Sequence, residues 1–251
     1  VVVKNPCDWV VDRLKTGRSF FTVRINDGEM IQMYRTRPEG SLLGTSANPA
    51  YTHYELGDAY RSMLEEIAVS DHKDDILIGC SWNTPRADDL CQHFEKDVHR
   101  LGLEDANWCN EHWPLDGVID GSTIRMLEEV KGRFKSVLVT CPALTVARYV
   151  TSSASVVCSA SDSWLQRGEV QEAGAWYAER GFTFLWVAGC GLKPTAWKLF
   201  KKYPQSSHID VGHLFNGALG LRDYGWLQRK DGPWYEPYFR DFAPWVNSFI
   251  H

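Results

Sequence analysis

The sequence lacks a paired CxxC, a complete G-x-G-x-x-G, an internal repeat and any low-complexity linker. Each absence removes a class of protein. The seven cysteines, Cys7, Cys80, Cys91, Cys109, Cys141, Cys158 and Cys190, are scattered and odd in number. Several lie inside apolar runs such as "ILIGC" and "VLVTC", which favours reduced, buried thiols in a cytoplasmic compartment over a disulfide framework or a zinc site. No apolar stretch reaches the ~18 residues of a membrane span, and no signal-peptide pattern opens the chain. Positive charge is in deficit: 27 Lys and Arg against 32 Asp and Glu give a net charge of −5. No global field therefore holds nucleic acid or an anionic membrane, and an anionic ligand needs a local cluster or a metal.

The 251 residues, 44% hydrophobic and 24% charged, suit a globular α/β domain with a core of useful size. Aromatic residues make up 13% of the chain, and 11 of them are Trp. Such a surplus serves either a core or a site for flat ligands such as sugars and bases.

Periodicity predicts strands alternating with helices. Helices are expected at 9–15 (with Gly17 as C-cap), 54–69, 86–102, 121–134, 169–181 and 193–203, the last with Pro194 in its first turn. Strands are expected at 19–25, 74–82, 135–142, 153–160, 182–191 and 206–212, with a long loop at 35–50. That rhythm predicts a single Rossmann-like domain over 1–251, a largely parallel sheet flanked by helices, with an aromatic-rich segment from about residue 222.

Three stretches carry candidate chemistry. "SFFTVRINDGE" ends an apolar strand in Asp27-Gly28-Glu29, with Arg24 upstream. Ligands bind beyond the carboxyl ends of strands in open α/β sheets. If the segment stays extended, Asp27 and Glu29 point to one side and suit Mg²⁺ or Mn²⁺. Arg24 could add a forked contact to phosphate, and Gly28 leaves room for a ligand. A plain solvated Asn-Asp-Gly turn fits the same residues. "VAGCGLKPTAW" runs a strand through Gly189 and Gly191 into a helix whose N-terminus could receive an anion, with Lys193 either on phosphate or merely solvated. In "SSHIDVGHLFNG", Asp210 and His213 flank a third strand end.

Together these segments resemble the GT-D fold glycosyltransferases. That family was first described as a bacterial domain of unknown function, and it includes glucosyltransferases acting on glycosylated serine-rich adhesins. The likeness lies in an R-x-G-D-G-E segment (here Arg24-Ile25-Asn26-Asp27-Gly28-Glu29), a strand–turn–helix similar to "GPTA" (here Gly191-Leu192-Lys193-Pro194-Thr195-Ala196) and a closing D-x-G-H (here Asp210-Val211-Gly212-His213). Asn26 departs from the family's glycine, and Leu192 and Lys193 stand between Gly191 and Pro194. The resemblance implies a metal-dependent transferase that moves a sugar from a nucleotide-sugar, a UDP-sugar by expectation, to a glycan or other hydroxyl acceptor. It implies Mn²⁺ or Mg²⁺ and the nucleotide at Asp27 and Glu29, with Arg24 as a phosphate or structural partner of that loop. Gly28, Gly189, Gly191 and Lys193, read from the residues above, are the further cofactor-binding candidates.

An inverting transferase also needs a base beside the acceptor hydroxyl, for which Asp210, His213 and Asp162 are candidates; retention stays open. Trp226, Trp234, Tyr235, Tyr238 and Trp245 could form a sugar platform or seal the core. Two rival readings remain. One is a methyltransferase binding S-adenosylmethionine at "VAGCG"; the other is a non-catalytic carbohydrate-binding module on a degenerate transferase fold.

Overall fold

Phe21–Ile25 is a run of five buried residues, as expected for a strand covered on both faces. The computed structural model describes residues 1–34, 53–80, 88–133, 135–159, 162–221 and 230–250. The loop expected at 35–50 and the platform candidate Trp226 lie outside them.

Seven strands, β1 (Phe21–Ile25), β2 (Ile76–Cys80), β3 (Asn107–Asn110), β4 (Ser136–Thr140), β5 (Ala154–Val157), β6 (Thr183–Val187) and β7 (Ser207–Asp210), form one sheet. Its order is β3-β2-β1-β7-β6-β4-β5. Every pairing is parallel, with Phe21 opposite Ile76 on one side and His208 on the other. The α/β expectation is met. The sequence reading missed β3, whose "NWCN" is too short and polar to register as a strand.

The chain steps outward from β1 to β3, crosses to β4 and β5, and returns through β6 to β7 beside β1. The carboxyl ends of β1 and β7 therefore meet where the winding reverses, the crevice position of doubly wound sheets.

Helices cover both faces. On one, α2 (Asp27–Tyr34), α3 (Tyr54–Ala68), α4 (Asp88–Leu101), α8 (Arg167–Glu179) and α9 (Lys193–Lys202) bury Phe21, Val23, Ile25, Ile78 and Phe184. On the other, α1 (Pro6–Thr16), α5 (Trp113–Ile119), α6 (Ser122–Gly132) and α7 (Arg148–Thr151) join the C-terminal segment over Phe20, Leu77, Leu138, Leu185 and Ile209. The α1 boundaries follow its caps. Asn5 Oδ1 accepts from the Asp8 N–H at its start, and Gly17, at φ 70°, closes its end in the left-handed conformation.

Much of the aromatic tail closes this second face. The Tyr238 hydroxyl donates to Leu214 O (2.6 Å) and accepts from the Ala218 N–H (3.0 Å), and Phe242 and Val246 are fully buried. Trp245 packs on Phe242 and Phe249, and Tyr235 on Phe239. None of the seven cysteines is paired. Among the described residues no helix is long and apolar enough to cross a membrane.

Candidate active site

The chain does not stay extended after β1. The Asn26 N–H donates to Glu29 Oε2 (3.0 Å) and the Met30 N–H to Asn26 O (3.0 Å), so Glu29 caps the first turn of α2 from its third position. Two residues apart on a helix are about 200° apart in direction. Asp27 consequently faces solvent, and Glu29, 2% exposed, faces the interior. The two carboxylates do not share one side. Gly28 lies buried between them, and its N–H donates to Asp27 Oδ1 at 2.8 Å.

Inside the crevice four charged groups from four elements meet. Lys193, at the start of α9, sends Nζ to Glu29 Oε1 (2.5 Å), to Asp210 Oδ2 (3.2 Å) and to Arg24 O (2.5 Å). Asp210, ending β7, accepts from the backbone N–H of Arg24 (3.1 Å) and of Gly212 (3.1 Å). Arg24 Nε stands 3.3 Å from Asp210 Oδ1 without the alignment of a hydrogen bond, so that contact is charge pairing. Arg24 Nη1 donates to Glu111 O at 3.3 Å. Two cations and two anions thus neutralise one another, which is how buried charge is tolerated.

Burial alone would lower the Lys193 ammonium, but Asp210 and Glu29 outweigh it and hold the group above its ordinary pKa. Burial would raise the Asp210 carboxyl, but Arg24 and Lys193 outweigh it and hold it below the usual range. His213 goes the other way. Burial, then the Arg24 and Lys193 charges, push its imidazole down to about 4, so it is neutral at pH 7.

The glycines beside the cluster have separate reasons. Gly189 takes φ 67° in the turn after β6. Gly191 lets the turn press on the β5–α8 loop, where a Cβ would come within 2.5 Å of Ser163 Oγ. Gly212 takes φ 51° under the Arg24 guanidinium.

Two histidine–carboxylate pairs flank the crevice. His53, at the N-terminus of α3, places Nε2 2.6 Å from Asp162 Oδ2. His112 Nε2 lies 3.1 Å from Glu111 Oε1, and its ring rests on Trp234, whose indole N–H donates to Asp116 (2.7 Å). Sequence reasoning singled out Asp162 and Trp234 but neither histidine. The partners in the first pair are 109 residues apart, and no local pattern marks them.

A divalent ion shared by Asp27 and Glu29 does not fit this arrangement, because both Glu29 oxygens are committed to Lys193 and Asn26. Among the described residues no group of three or more His, Cys, Asp or Glu could enclose a metal. Asp27 alone does fit. Its Oδ2 has no partner among the described residues, and Mg²⁺-type ions are commonly held by one carboxylate together with substrate phosphates.

No family model matches the chain, and no curated protein matches it by sequence. Solved structures do match. A glycosyltransferase of domain family DUF1792 from Streptococcus sanguinis superposes with a TM-score of 0.56 at 16% identity, over 90% of this chain and 84% of that one. A selenomethionine-substituted DUF1792 domain gives 0.53 at 17% identity, over 84% of this chain and 78% of that one. A DUF1792 domain described as a distinct glycosyltransferase fold gives 0.52 at 16% identity, with the same coverage. This chain has the DUF1792 glycosyltransferase fold. Within that fold, Arg24, Glu29, Lys193 and Asp210 stand together at the crevice where β1 and β7 end.

Proposed function

We propose that the protein is a glycosyltransferase that moves a sugar from a nucleotide-sugar donor, a UDP-sugar in the first instance, to a hydroxyl of a glycan or other acceptor. The observation that carries this reading is the junction of Arg24, Glu29, Lys193 and Asp210 at the reversal point of a glycosyltransferase fold, with Asp27 exposed at its rim.

Breaking the bond from the anomeric carbon to the diphosphate builds negative charge on the leaving oxygens. Mn²⁺ or Mg²⁺ at Asp27, its shell completed by the donor's phosphate oxygens, would supply the charge that stabilises them. The chain's own residues set the geometry. Glu29 caps α2 and fixes the direction of Asp27. Lys193 and Asp210 tie α2, β1, β7 and α9 together, so the first turn of α2, which bears Gly28, and the turn bearing Gly189 and Gly191 would border one donor site. Arg24 and Lys193 spend most of their charge inside the cluster and act on the donor through the loops they hold. His112 and Trp234, beside Arg24 through Glu111, give a half-exposed aromatic face on the acceptor side.

The test is nucleotide release from UDP-, GDP- and dTDP-sugars by the wild type and by Asp27→Asn. Release from one donor, lost in the folded variant, supports the reading. Release that is indifferent to Asp27 removes Asp27 from the site.

A further inference from the structure

Neither group in the closing motif is suited to take up a proton. The Asp210 oxygens accept two backbone N–H bonds and pair with Lys193 and Arg24, which hold the carboxylate ionised below the usual range. His213, pushed down to about 4 beside the same two cations, is a weak base. A transfer to a hydroxyl acceptor still has one proton to place.

We propose that His53 takes that proton and that Asp162 is its positioning residue; the inference rests on the transferase reading above. His53 Nε2 is held at 2.6 Å by Asp162 Oδ2, which leaves Nδ1 to accept, and Nδ1 has no partner among the described residues. Both side chains are about one-fifth exposed, at 20% and 19%, so the pair is shielded yet reachable. Asp162 Oδ1 is buried with no hydrogen-bond partner among the described residues. A pair kept only for structure would normally have its remaining buried lone pairs satisfied.

Both halves are pre-positioned. On the α3 side, Tyr60 donates to Cys190 O, and Gly57 lies so close to α2 that a Cβ there would be 2.3 Å from Gln32 O. On the other side, the Asp162 N–H donates to Ser159 Oγ (3.2 Å), and Ser163 Oγ donates to Ala188 O (3.0 Å). The pair also adjoins the charged crevice. Cys190, whose thiol is pushed up to about 12 mainly by burial, feels the charges of Glu29, Lys193 and Asp162 together.

The step balances as a direct displacement. The acceptor oxygen bonds to the anomeric carbon, and the bond from that carbon to the diphosphate oxygen breaks, with its electron pair leaving on the nucleotide. The O–H proton passes to His53 Nδ1, and Asp162 stabilises the imidazolium. The anomeric configuration inverts.

The experiment uses the full chain, the donor panel above, and two probe acceptors: water, which must lose a proton, and azide, which has none. His53→Ala is expected to lower nucleotide release to water about 100-fold or more and to affect glycosyl azide formation far less. Asp162→Asn is expected to lower kcat with water while leaving the donor KM unchanged. His53→Gln replaces the alanine variant if circular dichroism shows that it misfolds. Equal losses with both acceptors, no loss with either, or an azide product of retained configuration would overturn the proposal. So would the water–azide split appearing in His112→Ala instead. If the wild type releases nucleotide and His53→Ala shows no split, the dyad alone fails. If the folded wild type releases nothing from any donor, the transferase reading fails and the dyad falls with it.

Discussion

Gly212 lies directly beneath the Arg24 guanidinium: a Cβ at position 212 would come within 1.6 Å of Arg24 Nη2. The backbone there is also left-handed, at φ 51°. Gly212→Ala therefore combines backbone strain with ejection of Arg24 from Asp210. A loss of about 2–3 kcal/mol of stability is expected in a urea titration. Arg24→Leu in the same background should recover little, because it leaves Asp210 short of a partner.

Lys193 is the keystone of the quartet. Lys193→Met keeps the volume but leaves Glu29 and Asp210 as buried carboxylates facing each other's charge. The expected cost is about 3–5 kcal/mol by denaturant titration. Adding Glu29→Gln removes one of the stranded charges, so the double variant should be more stable than Lys193→Met alone. A double variant that is less stable would mean that Lys193 does not hold Glu29.

Asp27 and Glu29 should separate cleanly. Asp27 is exposed, so Asp27→Asn is expected to change stability by no more than about 0.5 kcal/mol. It should also reduce nucleotide release by about 100-fold or more if Asp27 serves the leaving group. Glu29→Gln loses the charge facing Lys193 and should destabilise the fold measurably. Thermal melts beside release assays on both variants check this.

Much of the fold was legible in the sequence because buried parallel strands write themselves as apolar runs. Phe21–Ile25, Ile76–Cys80 and Thr183–Val187 all fall inside expected strands. β3 escaped because an edge strand of four residues carries almost no periodic signal. At the site, the motifs brought Arg24, Glu29, Lys193 and Asp210 to one place. The role of each depends on partners far away in sequence: Lys193 reaches Arg24 O across 169 residues and Arg24 reaches Asp210 across 186. The expected common face of Asp27 and Glu29 failed for a local reason. Asn26 and Glu29 form a capping interaction, and a helix begins where extension was assumed. Glu at the third position after Asn is a helix-start signal, and it was present in "NDGE".

Two shielded imidazoles, His208 and His213, are expected to contribute to the loss of stability in acid. His208 accepts from the Trp186 indole N–H (3.1 Å), bonds Ser206 Oγ (2.9 Å), and is pushed down to about 3 by burial; His213 is pushed to about 4. Their folded pKa values lie below those of the unfolded chain, so the unfolded state binds more protons between them. Their stabilisation is complete above about pH 6.5 and is lost as pH falls through 4 and 3. Each histidine should contribute a slope of up to about 1.4 kcal/mol per pH unit in that window. His208→Gln should flatten the curve. An unchanged slope in that variant would show that His208 does not carry it.

The most direct test of a metal-dependent sugar transfer is nucleotide release from UDP-, GDP- and dTDP-sugars by the wild type with Mn²⁺, with Mg²⁺ and with EDTA. Folded Asp27→Asn is run alongside. Slow release from one donor is expected, sustained by the metal, abolished by EDTA and lost in the variant. A folded wild type that neither binds nor cleaves any donor with metal present would contradict it.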